Sequence, residues 1–185
     1  MLRAQDGDED AFTQLVAAYQ DRLINIFRNF LKSQEAAEDL AQDVFLRIYR
    51  SRHRYQPTAK FATWLFRIAN NVASNSLRSK SRRREVALSV RDSGPLGPRP
   101  EEKLVADKSV FMPVRQLDKS EMRDLVHSAL DTLSERQKMA VLLHKFEQMS
   151  YADIGAAMDL NPVAVKSLLF RARENLREKL EPYMR

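Results

Sequence analysis

The segment SYADIGAAMDLNPVAVKSLLFRARENL, Ser150 to Leu176, constrains this chain most, because its punctuation calls for two short helices joined by a tight turn. Ser150 followed by Asp153 is a variant capping box: the hydroxyl accepts from an orphan N–H of the first turn, and the carboxylate reaches back and suits the positive end of the helix dipole. The first helix then begins at Tyr151, with Ile154 and Met158 one turn apart on its inner face, and Gly155 omits a side chain where a second helix crosses closely. Asp159 stands where the chain leaves the helix, a place that favours left-handed backbone, and Leu160 turns back into the core. Asn161 is the N-cap of the next helix and Pro162 its first residue, where a missing N–H costs nothing. From there Val165, Leu169, Ala172, Leu176 and Leu180 form the buried stripe, which leaves Lys166, Ser167, Phe170, Arg171 and Arg173 on or near the open face. This is a helix-turn-helix whose basic outer helix fits a major groove. An ordinary helical hairpin would explain the charges, but not the coincidence of caps, turn and small residue.

The rest of the chain also reads as helix. From Asp8 to Leu31, Phe12, Leu15, Val16, Tyr19, Leu23, Ile26, Phe27 and Phe30 recur at three and four without a glycine or proline. After a break at Lys32 to Gln34, a second helix from Glu35 to about Ser51 has Ala36, Leu40, Val44, Phe45 and Ile48 on its inner face and Glu38, Asp39, Gln42 and Asp43 on the other. Asp39 and Asp43 are paired carboxylates one turn apart. Without a histidine, a glycine-rich loop or a third ligand beside them, they predict a solvated or docking surface rather than a metal-dependent nuclease. No metal or cofactor is expected, and no enzymatic activity.

A polar loop, Ser51 to Ala59, leads into a third helix from about Lys60 that runs through Trp64, Leu65, Ile68, Val72 and Leu77 toward Ser81. Its exposed side carries Arg67, Asn70, Asn71, Asn75 and Arg78. Amides exchange hydrogen bonds with base edges, arginines hold phosphates, and an exposed aromatic of the loop, such as Tyr55, would stack an unpaired base. Trp64, one turn from Ile68, is expected in the core instead.

Composition shifts at Glu85, and Gly94, Pro95, Gly97, Pro98 and Pro100 then exclude regular structure, so residues 85–119 are expected to be a flexible linker between a domain at 1–84 and one at 120–185. The second domain opens with a helix from near Ser120 to Asp131. Ser134 caps the next, Glu135 to Glu147, with Met139, Val141, Leu142, Leu143 and Phe146 as its core. The expected fold is all-α, two small helical domains. With no cysteine, disulfides and thiolate metal sites are excluded. The net charge of +6 suits a polyanionic partner. No apolar run approaches membrane-spanning length, so a cytoplasmic protein without membrane insertion is expected.

Together the segments DEDAFTQLVAAYQDRL, AAEDLAQDVFLRIYRSR, KFATWLFRIANNVASNSLRS, LSERQKMAVLLHKFEQMSYADIGAAM and AVKSLLFRARENLREKL resemble, in order and over nearly the whole chain, the extracytoplasmic-function sigma factors, group 4 of the sigma-70 family. The resemblance implies a sigma-2-like domain, a linker and a sigma-4-like helix-turn-helix domain, and a protein that directs core RNA polymerase to promoters and helps open the DNA. It implies that Asp39, Gln42, Asp43 and Phe45 dock on the β′ coiled coil of the core polymerase, with the β flap as a further contact. Arg54, Tyr55, Lys60, Asn71, Asn75 and Arg78 would meet minus-10 promoter DNA, and Lys166, Ser167, Phe170, Arg171 and Arg173 the minus-35 element. A separate anti-sigma factor would regulate it. The chain departs from the family pattern at Asn75, often Asp, at Gln148 and Asp159, often Gly, and at Leu168, often Arg. A helix-turn-helix regulator that binds operator DNA without the polymerase core accounts for Ser150 to Leu180 and leaves the acidic helix unexplained.

Overall fold

The computed structural model describes residues 1–91 and 119–183. It comprises α1 (Leu2–Gln5), α2 (Glu9–Leu31), α3 (Gln34–Ser51), a 3-10 turn (Arg52–Arg54), α4 (Phe61–Arg91), α5 (Lys119–Asp131), α6 (Glu135–Phe146), α7 (Tyr151–Met158) and α8 (Pro162–Leu180), closed by a second 3-10 turn (Glu181–Tyr183). There is no strand among the described residues. None of their helices is long and apolar enough to cross a membrane.

Local chemistry sets most boundaries. Asp8, Ser33, Ser134, Ser150 and Asn161 each accept a hydrogen bond from a first-turn amide of the helix they precede. At Ser134 the box is complete, with Gln137 Oε1 accepting from the Ser134 amide at 2.9 Å. Lys32 ends α2 in left-handed backbone (φ 63°) and Asp159 ends α7 in the same way (φ 56°). Gln148, just after α6, is also left-handed (φ 52°). Glycine is therefore the residue that backbone geometry would favour at Gln148 and Asp159.

Several sequence expectations shift. The buried face of α3 is Ala37, Ala41, Val44, Phe45 and Ile48, with Ala36 and Leu40 only half-buried, because α3 packs between α2 and α4 along a line one residue round from the predicted stripe. On α6 Met139, Leu142 and Leu143 are buried, but Phe146 is 55% exposed at the last turn, beyond the reach of the neighbouring helices. α4 continues to Arg91, seven residues past the expected domain end at residue 84, since nothing before Gly94 breaks the helical run. The remainder of the expected linker, residues 92–118, lies outside the described residues.

The two helical units touch. α7 packs on α4 and α6 packs on α2. One continuous buried cluster takes in Phe27, Leu65 and Phe66 from the first unit and Met139, Ile154 and Leu169 from the second.

Candidate docking and nucleic-acid interfaces

α3 displays its polar face beside an apolar groove. The groove, of about 510 Å³, runs between α2 and α3, with Phe12, Val16, Ile24, Phe45, Leu46 and Tyr49 among its lining and Glu38 and Gln42 at its rim. Leu46 is 52% exposed, an apolar side chain that no described neighbour covers. Asp39 and Gln42 are exposed. Asp43 is half-buried and held by Arg47, whose Nε donates to Asp43 Oδ1 at 3.0 Å, and that hydrogen bond raises the Arg47 pKa above its ordinary value. The two carboxylates thus differ: Asp39 has no ion-pair partner among the described residues, whereas Asp43 is already paired with Arg47. Phe45, 8% exposed, belongs to the core and also lines the groove.

The second region centres on the loop after α3 and the outer side of α4. Asn71, Asn75 and Arg78 are exposed at i, i+4 and i+7, so they share one face of the helix, and Arg54 is exposed in the loop. Tyr55 corrects the expectation of an exposed stacking ring. It is 6% exposed, its ring centroid 4.9 Å from Trp64 and 6.2 Å from Phe61 in edge-to-face contacts. Trp64 and Phe61 are themselves only partly buried, so the accessible aromatic edge of this cluster is theirs.

Lys60 is exposed but engaged: its Nζ lies 3.2 Å from Asp153 Oδ2 on α7. The Asp153 carboxylate reaches back to Ser150 as the variant capping box predicts, but not to its backbone amide. Its Oδ2 instead accepts from the Ser150 hydroxyl at 2.7 Å, while the same hydroxyl accepts from the Asp153 amide at 3.1 Å. Its Oδ1 accepts from Thr63 Oγ1 at 3.1 Å. The Ser150 hydrogen bond, then those from Lys60 and Thr63, hold the Asp153 carboxyl below its ordinary pKa against the opposing effect of burial. Spacing along the chain carried no sign of Thr63 or of this junction, because its members come from different units.

On α8 the predicted open face is in place: Lys166, Ser167, Phe170, Arg171 and Arg173 are all exposed, and Phe170 at 61%. Val165, Leu169 and Ala172 are buried beneath them. Arg173 donates to the Tyr151 hydroxyl at 3.0 Å, which ties the second helix of the motif to the start of the first. Ser167 Oγ donates to the Val163 carbonyl at 3.1 Å. Leu168 is partly buried against the core cluster, a packing position for a side chain where the family often has arginine. Gly155 is required by the turn rather than by the crossing helix: a Cβ there would lie 2.5 Å from the Leu160 carbonyl oxygen.

Two small helical units, the second a helix-turn-helix with an uncovered basic helix, define a bipartite DNA-binding protein. Residues 15–83 match the sigma-70 region 2 family and residues 123–176 match sigma-70 region 4. The RNA polymerase sigma-H factor of Pseudomonas aeruginosa is 34% identical over 187 aligned residues, covering 99% of this chain and 93% of its own. The ECF RNA polymerase sigma-E factor of Escherichia coli K12 is 32% identical with the same coverage. Among solved structures, CnrH in complex with the cytosolic domain of CnrY superposes with a TM-score of 0.68 at 24% identity, covering 98% of this chain and 94% of that one. The sigma factor RpoE, in complex with the anti-sigma factor NepR from Bartonella quintana, gives 0.68 at 24%, covering 92% and 97%; at this identity both show the fold alone. The chain belongs to the extracytoplasmic-function sigma factors of the sigma-70 family, the factors that direct RNA polymerase to promoters.

Proposed function

We propose that this sigma factor divides its work among three surfaces: α3 and the groove beside it dock on core RNA polymerase, the loop and outer side of α4 engage minus-10 promoter DNA, and α8 enters the minus-35 major groove. The observation that carries this reading is the segregation of surface chemistry. Acid lies beside an uncovered apolar groove on α3, amides and arginine share a face on α4, and α8 is basic on its exposed side. Asp39, Gln42 and the groove supply the docking surface, with Asp43 contributing through the pair it makes with Arg47. Arg54 and Arg78 hold phosphates, Lys60 joins them when released from Asp153, and Asn71 and Asn75 reach base edges. The partly covered Trp64 and Phe61 edge, backed by Tyr55, is the aromatic surface nearest these amides. On α8, Lys166, Ser167, Arg171 and Arg173 face DNA, and Phe170 packs against the groove wall or a base methyl.

The β′ coiled coil and the β flap are the polymerase elements the family reading assigns, and the cytoplasm is where such a complex works. The anti-sigma factor bound to a neighbouring solved structure supports a separate anti-sigma factor for this chain too. The test is co-purification with core polymerase followed by run-off transcription on fragmented genomic DNA. Stoichiometric association and discrete transcripts are expected. Tight duplex binding without any association with the core would overturn the reading in favour of an operator-binding regulator.

A further inference from the structure

The first turn of α8 carries an apolar side chain for which the packing of the fold has no use. Val163, the second residue of the helix, is 73% exposed, more than any other large hydrophobic among the described residues. A lone exposed valine would mean little. Val163 is not alone: Phe170, 61% exposed, stands at i+7, and at about 3.6 residues per turn the two lie within about 20° of each other round the helix. Lys166 and Ser167, both exposed, lie between them on the same side, and Arg171 and Arg173 flank the stripe. Glu174, one turn beyond Phe170, closes it with the opposite charge. Ser167 Oγ donates to the Val163 carbonyl at 3.1 Å, so its single hydroxyl hydrogen is committed to the helix and the oxygen is left to accept.

We propose that Val163 is a specificity-determining residue for minus-35 DNA and packs on the 5-methyl group of a thymine. The inference rests on the assignment of α8 to that groove and deepens it. A recognition helix presents its N-terminal residues to base edges, and the thymine methyl is the apolar group that a base pair displays in the major groove. The cations flanking the stripe suit phosphates on either side of it, so one partner, duplex DNA, matches the apolar centre and the charged margins together. Ser167, one turn on and left to accept, suits the adenine amino group, the other major-groove mark of the same base pair. The rise of the helix puts Phe170 about 10 Å further along, so a second methyl contact would fall within about three base pairs of the first.

The test uses the full chain in complex with core RNA polymerase, from which duplexes with a randomised minus-35 element are selected by binding. The wild type is expected to enrich thymine at a position where Val163→Ala loses the preference. That variant shortens an exposed side chain and introduces a better helix former, so the fold is retained, which circular dichroism checks. Deoxyuridine then replaces thymidine at that position, deleting the methyl and leaving the pairing intact. Wild-type binding is expected to fall about fourfold, the size of one methyl group lost from an apolar contact, while Val163→Ala is insensitive to the same replacement. A selected sequence unchanged by Val163→Ala overturns the proposal, and so does a wild type indifferent to deoxyuridine. A Val163→Ala complex that loses as much as the wild type gives the methyl to another side chain and overturns it too. Lys166→Ala with Arg171→Ala separates these failures from failure of the groove assignment: if that pair leaves binding to the minus-35 element unchanged, α8 does not lie on the DNA and both readings fall.

Discussion

The Thr63 hydroxyl donates to Asp153 Oδ1 at 3.1 Å, a hydrogen bond between residues ninety positions apart that sits where α4 meets α7. It is one of the contacts that lower the Asp153 pKa, after the larger contribution of the Ser150 hydroxyl. A carboxyl whose pKa is lower in the folded state adds stability above its unfolded value, near 4, and loses that contribution as pH falls through the folded one. Thr63→Val keeps the shape and removes the donor. The Asp153 pKa is expected to rise toward its ordinary value in a carboxyl NMR titration. Stability should fall by about 1 kcal/mol at neutral pH, with the difference from wild type shrinking below about pH 4.

Docking on the polymerase core should discriminate between the two aspartates of α3. Asp39→Lys places a cation on an exposed site, whereas Asp43→Lys also releases Arg47 from its pair. Both reversals together are expected to weaken core binding at least about tenfold, since like charges brought together across an interface cost several kcal/mol. Fluorescence anisotropy of labelled protein titrated with core polymerase measures this, and unchanged affinity would remove α3 from the docking surface.

Tyr55 and Asn75 should separate a supporting role from a reading role. Tyr55→Ala empties a buried site and is expected to destabilise the first unit by about 3–5 kcal/mol. Asn71→Ala with Asn75→Ala changes exposed helix positions only, so thermal stability should stay within about 0.5 kcal/mol of wild type while promoter opening slows. Permanganate footprints of the melted region, as strong in the double variant as in the wild type, would refute the assignment of these amides.

The two arginines of α8 are expected to act differently. Arg171 has no hydrogen-bonding partner among the described residues, whereas Arg173 is anchored to the Tyr151 hydroxyl. Arg171→Ala should cost about 1–3 kcal/mol, mainly on the preferred promoter sequence. Arg173→Ala should weaken all sequences alike and reduce the salt slope by about 0.9. Binding of the full chain to promoter and scrambled duplexes across a salt series checks both.

Backbone geometry around the motif gives a pair of opposite stability effects. Gly155→Ala drives a Cβ to 2.5 Å from the Leu160 carbonyl and is expected to cost about 1–3 kcal/mol. Gln148→Gly relieves a left-handed, exposed glutamine and should stabilise by about 0.5–1 kcal/mol. For a chain of this size each kcal/mol moves Tm by about 2–4 °C, so thermal denaturation reads both signs.

The sequence by itself determined the helices, their caps and the helix-turn-helix, because those depend on residues within about four positions of one another. Ser150, Asp159, Asn161 and Pro162 need no distant partner to place α7 and α8, and the period of Val165, Leu169 and Ala172 already separates the buried side of α8 from its basic side. Tertiary structure alone decided which surfaces remain free. Tyr55 is covered because Phe61 and Trp64 fold over it, Phe146 is exposed because no helix reaches the end of α6, and Asp153 leaves the role of a simple cap because α4 brings Lys60 and Thr63 to it. Burial and charge pairing between units depend on which patches meet after long stretches of chain have closed, and no spacing within a helix records that.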